Sequence, residues 1–168
     1  PVLDTSFRRF AELINTHLEK HLFIFGGRPS AADFALAGQL QQLLSDPTPA
    51  EFLRDRAPFV TAWCEFMEDP KPGAPFEELG SVAETLAPIF KDEIAVTYMP
   101  WAEANSQSIT KRRKTTKIDL ADGAFEQTTQ RYAAKSWRAV KKAVARTVKG
   151  SEALADFLKS NNCGAVLD

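Results

Sequence analysis

The chain has 168 residues, 44% of them apolar and 26% charged, with a formal net charge of −1. That is the size and composition of a globular domain able to bury a core without disulfide or metal staples, and the near-neutral balance names no partner, so nucleic acid is not expected. No apolar run is long enough to span a bilayer, the first residues lack the charged and apolar regions of a signal peptide, and the distant Cys64 and Cys163 form no CxxC pair, so the expected setting is the cytoplasm, away from membranes.

Residues 4–22 carry Phe7, Phe10, Ile14, Leu18 and Leu22 at three- and four-residue spacing, the pattern of an amphipathic helix that Asp4 or Thr5 caps. Gly26, Gly27 and Pro29 end it, and Ser30 with Asp33 forms a capping box for a second helix whose stripe is Phe34, Ala37, Leu40, Leu43 and Leu44. Thr48, Pro49 and Glu51 predict the start of a short helix that runs to about Arg56. After Pro58, the shared face of Val60, Trp63, Cys64 and Met67 predicts a further helix to about Asp69, and residues 71–75, rich in proline, form a stiff loop and the best internal boundary.

Beyond that loop Leu86, Phe90, Ile94, Tyr98, Trp101 and Asn105 recur at helical spacing, with Pro100 expected to bend or divide the helix. Residues 106–117 are polar and basic and read as flexible, and residues 118–123 as a brief extended segment with a turn. Helix resumes near Thr128 with Ala133, Trp137, Val140, Val144 and Thr147 on its inner face, and a last helix from about Ser151 buries Leu154, Phe157 and Leu158. The expected organisation is an all-α helical bundle. It comprises a helical core at 1–70, continuing helices at 71–105, an irregular basic loop at 106–127 and a C-terminal helical extension at 128–168.

The run from Phe23 through Gly26, Pro29, Ser30 and Asp33 to Leu36 resembles the C-terminal helical half of the glutathione transferases, in which an apolar pair, a glycine, a Pro-Ser step and an aspartate open the central helix. Arg56-Ala57-Pro58 with Trp63, the segment from Trp101 to Asn105, and Gln127 with Tyr132 and Lys135 look like larger microbial-type members with an extended C-terminus. The first of these likenesses covers residues 13–67, about a third of the chain. In that family a preceding thioredoxin-like domain binds glutathione and generates its thiolate, while the helical half lines the pocket for the electrophile. Fewer residues precede Leu13 than a βαβ unit needs. The resemblance therefore implies a substrate-side domain in a detoxifying protein, inactive by itself, with glutathione belonging to the parent, a thioredoxin-like domain and a hydrophobic electrophile as partners, and homodimers common. Pro1 fits either a removed methionine or a piece of a longer protein.

Tyr98, Trp101, Asn105 and Trp137 are the residues expected to line that pocket, since aromatics with a few amide or hydroxyl groups suit apolar ligands; the bland alternative is that they are core. No catalytic, cofactor-binding or metal-ligating residue is expected, and Ser30 and Asp33 are structural. His17 and His21, four apart, lack a third zinc ligand and read as surface or boundary residues. Cys64 reads as buried and Cys163 as more exposed, neither with a neighbour to activate it. Lys111, Arg112, Arg113, Lys114 and Lys117 are the local charge excess, read as a solvated loop. Two competing functions remain open: a non-catalytic scaffold that uses the basic loop, and a carrier of hydrophobic ligands.

Overall fold

In the computed structural model, which describes residues 2–167, helix α1 runs Val2–Lys20 and buries Ala11, Ile14, His17 and Leu18. Pro1 lies outside the described residues. Helices α2 (Ala31–Leu44), α3 (Pro47–Arg56) and α4 (Pro58–Phe66) follow, then α5 (Leu79–Ile89), a π-helical stretch (Phe90–Tyr98) and α6 (Met99–Thr110) in one continuous run. Strands β1 (Thr115–Leu120) and β2 (Gly123–Thr128) pair antiparallel, and α7 (Arg131–Thr147) and α8 (Glu152–Ser160) close the chain. The fold is helical in class, with this small hairpin added. It divides into two units, residues 7–86 and residues 1–6 with 87–168, so the division falls inside α1 and α5 and not in the 71–75 loop.

The first unit, residues 7–86, is organised around Asp33, which is wholly buried at the start of α2. One carboxylate oxygen accepts the Ile24 amide at 2.8 Å; the other accepts the Ser30 amide at 2.8 Å and the Ser30 hydroxyl at 2.6 Å. Ser30 Oγ in turn accepts the Ala32 amide, which completes the capping box. Because Asp33 occupies the inward position, Phe34 is turned out and is 55% exposed, against its place on the expected apolar stripe. The next cap also differs from expectation. Asp46, not Thr48, caps α3 by accepting the Thr48 amide, with Pro47 in the first turn. No side chain of its own caps α4; Asn15 of α1 supplies the acceptor for the Phe59 and Val60 amides.

Gly26 and Gly27 are required by close approach. Gly26 has φ +102°, and a Cβ there would lie 2.5 Å from Glu77 Cγ; one on Gly27 would lie 2.3 Å from the Ala74 Cβ. The 71–75 loop is clasped against this turn. The Gly27 carbonyl accepts the Gly73 and Ala74 amides, and the Gly27 amide donates to the Pro75 carbonyl.

His17 is wholly buried, not a surface or boundary residue. Its Nε2 lies 3.1 Å from the Ile24 carbonyl, which only accepts, so Nε2 carries the proton and Nδ1 accepts the Thr85 hydroxyl at 2.8 Å in the neutral ring. Burial, and next the neighbouring His21 stacked at 4.7 Å, push its pKa below the usual 6.5.

In the second unit the segment 106–127, expected to be irregular, is the end of α6 followed by the hairpin. Ser106 to Thr110 extend the helix, and the basic residues 111–114 form only the turn between α6 and β1. Ile118 pairs with Phe125, and Gly123, at φ +124°, permits the tight reversal after Asp122. On α7 the buried positions are Ala134 and Trp137, whereas Val140 is 39% exposed and Thr147 lies outside. Trp137 joins Met99, Ala102, Leu158, Cys163 and Val166 in the core of this unit. Cys163 is therefore not exposed: it is 1% accessible, with its thiol on the Phe90 carbonyl.

Two outcomes follow from the Asp33 and His17 bonds. Asp33→Ala strands the half-buried Ile24 and Ser30 amides and should cost about 2–4 kcal/mol in urea unfolding, against about 1 kcal/mol for Ser30→Ala; equal small losses would contradict the arrangement. Because the folded state lowers the His17 pKa, the unfolded chain takes up that proton first as pH falls. The His17 contribution is complete above about pH 6.5 and shrinks as pH falls below that value toward the depressed folded pKa. His17→Gln should flatten that part of the stability–pH curve, and an equally steep curve in the variant would rule it out.

Candidate functional site

The helical run of residues 79–110 contains two prolines that cannot donate, Pro88 and Pro100. Pro100 has no N–H to offer the Val96 carbonyl in an α ladder, and immediately before it the Met99 amide reaches back five residues to the Ile94 carbonyl. The wider π turns shift the helical faces. Glu93 and Thr97 become buried while Tyr98 is 39% exposed, so the face is not the simple stripe through Ile94 and Tyr98 that α periodicity predicts.

That shift places Glu93, Thr97, Tyr98 and Trp101 on the wall of one cavity of about 420 Å³, entirely within the second unit, with Phe125 and Gln127 of the hairpin on its other wall. Ser6, in the second turn of α1, donates its hydroxyl to Glu93. The cavity thus has an aromatic side and a polar end, the usual composition of a small-molecule site. Two nitrogens on these walls, Trp101 Nε1 and Gln127 Nε2, are buried without a hydrogen-bond partner. Both are donors, so the unmet demand is for an acceptor. Burial pushes the Tyr98 phenol pKa up, which keeps it protonated.

Of the four residues expected at a pocket, Tyr98 and Trp101 lie on this cavity, and Asn105 and Trp137 do not. Asn105 is wholly buried and holds the exit of the hairpin: its amide donates to the Gln130 carbonyl and accepts the Gln130 amide, both at 2.8 Å. Trp137 donates to Glu103 at 2.9 Å, a bond that holds the Glu103 pKa below the usual range, and it meets Tyr98 edge-on at 5.9 Å. Both are supports for the wall. Sequence reading missed Ser6, Glu93, Phe125 and Gln127; the two prolines bracketing Glu93 and Tyr98 are the signal that the α spacing would fail there.

A larger concavity of about 1050 Å³ lies in the first unit, with part of its charged wall engaged, Arg56 with Glu12 at 2.9 Å and Arg8 over the Phe52 ring at 4.5 Å. No group of three or more His, Cys, Asp or Glu among the described residues has the geometry to hold a metal ion. His21 instead faces Glu77 at 3.5 Å.

Among the described residues the sheet is a single antiparallel hairpin. Both thiols are buried, and desolvation raises their pKa, that of Cys64 to about 11. Of the basic run, residues 111–114 are exposed, and Lys117 is paired with Glu126 at 2.9 Å. No helix among the described residues is long and apolar enough to cross a membrane.

Among curated proteins and among solved structures, none matches the chain. A family model does match one part of it, and the match reaches back into the first turns of α1 and forward to the last residue of α4. Residues 3–66 match the family model of the glutathione S-transferase C-terminal domain.

Proposed function

We propose that this chain supplies the helical, electrophile-side part of a glutathione-transferase-like protein of the cytoplasm. The observation that carries the reading is the family match over residues 3–66, joined in the same chain to a cavity with an aromatic wall and unpaired donors. Binding and orientation of an apolar, acceptor-bearing electrophile are its contribution. On this reading glutathione and the residue that generates its thiolate belong to a thioredoxin-like partner domain. A detoxifying conjugation is the reaction to which such a division of labour belongs.

The test uses 9-fluorenone, a neutral aromatic ketone, and fluorene, the same ring system without the oxygen. Saturable binding of the ketone, about tenfold weakened in Trp101→Ala, is expected, since loss of an aromatic wall contact is worth on the order of 1.4 kcal/mol. The ketone should also bind more tightly than fluorene. With glutathione and 1-chloro-2,4-dinitrobenzene the chain alone should give only the uncatalysed rate. Undiminished ketone binding by Trp101→Ala would remove the cavity from the reading, and conjugation by the chain alone would overturn the division of labour.

A further inference from the structure

The basic turn at 111–114 is not the main concentration of positive charge in the second unit. From Arg131 onward α7 and the 3₁₀ turn after it place Arg131, Lys135, Arg138, Lys142, Arg146 and Lys149 at steps of three and four residues, so all six fall on one face. Every one of them is exposed, and none is engaged in an ion pair among the described residues. The remaining cation of the helix, Lys141, lies off this row, toward Glu103. Residues 127–151 contain no Asp or Glu at all. The arrangement is a straight row, one cation per turn, about 25 Å long at 1.5 Å per residue.

Other features extend the row. The Thr129 amide donates to the Lys114 carbonyl at 2.9 Å, which fixes the turn bearing Lys111, Arg112, Arg113 and Lys114 beside the first residues of α7. The groove along the later part of the row, formed by Ala139, Ala143 and Ala145 between Lys142, Arg146 and Lys149, has only small side chains, so an extended polyanion meets no bulky obstacle. Charge is also segregated in the chain. The second unit holds 14 Lys and Arg against 10 Asp and Glu, although the whole chain is nearly neutral.

We propose that this face binds the sugar–phosphate backbone of duplex nucleic acid without regard to sequence. A duplex strand presents a phosphate about every 3.4 Å of axis, so a rigid row of this length meets several at once and releases their counterions. Arginine and lysine alternate along it, and both suit phosphate oxygens. A lipid surface fits less well. On α7 Ala134 and Trp137 are committed to the core, and the large apolar side chains it leaves exposed, Tyr132 and Val140, fall short of the continuous apolar face that an interfacial helix lays into the acyl layer. This inference stands on α7 and the turns beside it and is independent of the cavity and of the transferase reading.

The experiment is fluorescence anisotropy of a labelled DNA duplex of about 20 base pairs, titrated with the full chain at about 50 and 200 mM salt. Neutralisation of six phosphates predicts an affinity loss on the order of 10³-fold between the two conditions. The triple variant Arg138→Glu, Lys142→Glu, Arg146→Glu should lose at least about 100-fold at low salt, with helix content by circular dichroism and unfolding temperature unchanged because all three side chains are exposed. Arg138→Lys with Arg146→Lys keeps the charges and should stay within about threefold. Absence of duplex binding at low salt, or equal binding by the triple-glutamate variant, overturns the proposal. So does equal or tighter binding to polyglutamate or to phosphatidylserine vesicles, which would assign the face to an acidic protein or a lipid surface.

Discussion

Ile24 is held by both of its backbone groups: its N–H by the Asp33 carboxylate and its C=O by the protonated nitrogen of His17. Neither partner is accessible to water, and each has a further obligation, Asp33 to the start of α2 and His17 to Thr85 on α5. One residue of a turn thus ties three helices of the first unit together, and each of the polar groups involved is satisfied only while the others stay in place. The apolar packing around it gains its register from this arrangement. The glycine turn at Gly26 and Gly27 follows directly on this anchored residue.

How much of this was legible follows from how local each signal is. The capping box of Ser30 and Asp33 spans four residues and can be read directly, and the helical class follows from three- and four-residue spacing that tertiary contacts did not override. The burial of His17 was not legible, because its acceptor and its donor lie 7 and 68 residues away. The hairpin was hidden by polar residues that suit an exposed two-stranded ribbon as well as a loop; only Thr116 and Leu120 of β1 are buried. Cys163 sits among polar neighbours in sequence, yet the turn after α8 carries it inward.

At the candidate site the aromatic pair Tyr98 and Trp101 was visible as a pattern, while its opposite wall was not. Phe125 and Gln127 come from a strand whose existence had to be seen before its inward face had meaning. Asn105 looked like a ligand-facing amide but instead substitutes for a missing strand partner by pairing with both backbone groups of Gln130. The row of cations on α7 went unread for a related reason. Charges separated by two or three other residues do not form a run along the sequence, and only the helix collects them on one side.

The π-helical stretch has a consequence for how this chain tolerates length changes. A π turn holds roughly one residue more than an α turn, so residues 90–98 store a surplus without breaking the helix. A deletion of one residue there is taken up as the stretch relaxes toward α geometry, whereas in a regular α-helix it would turn everything downstream by about 100°. Trp101 would keep its place on the cavity wall. This segment behaves as a buffer that absorbs a change of one residue without altering which side chains the rest of the helix presents.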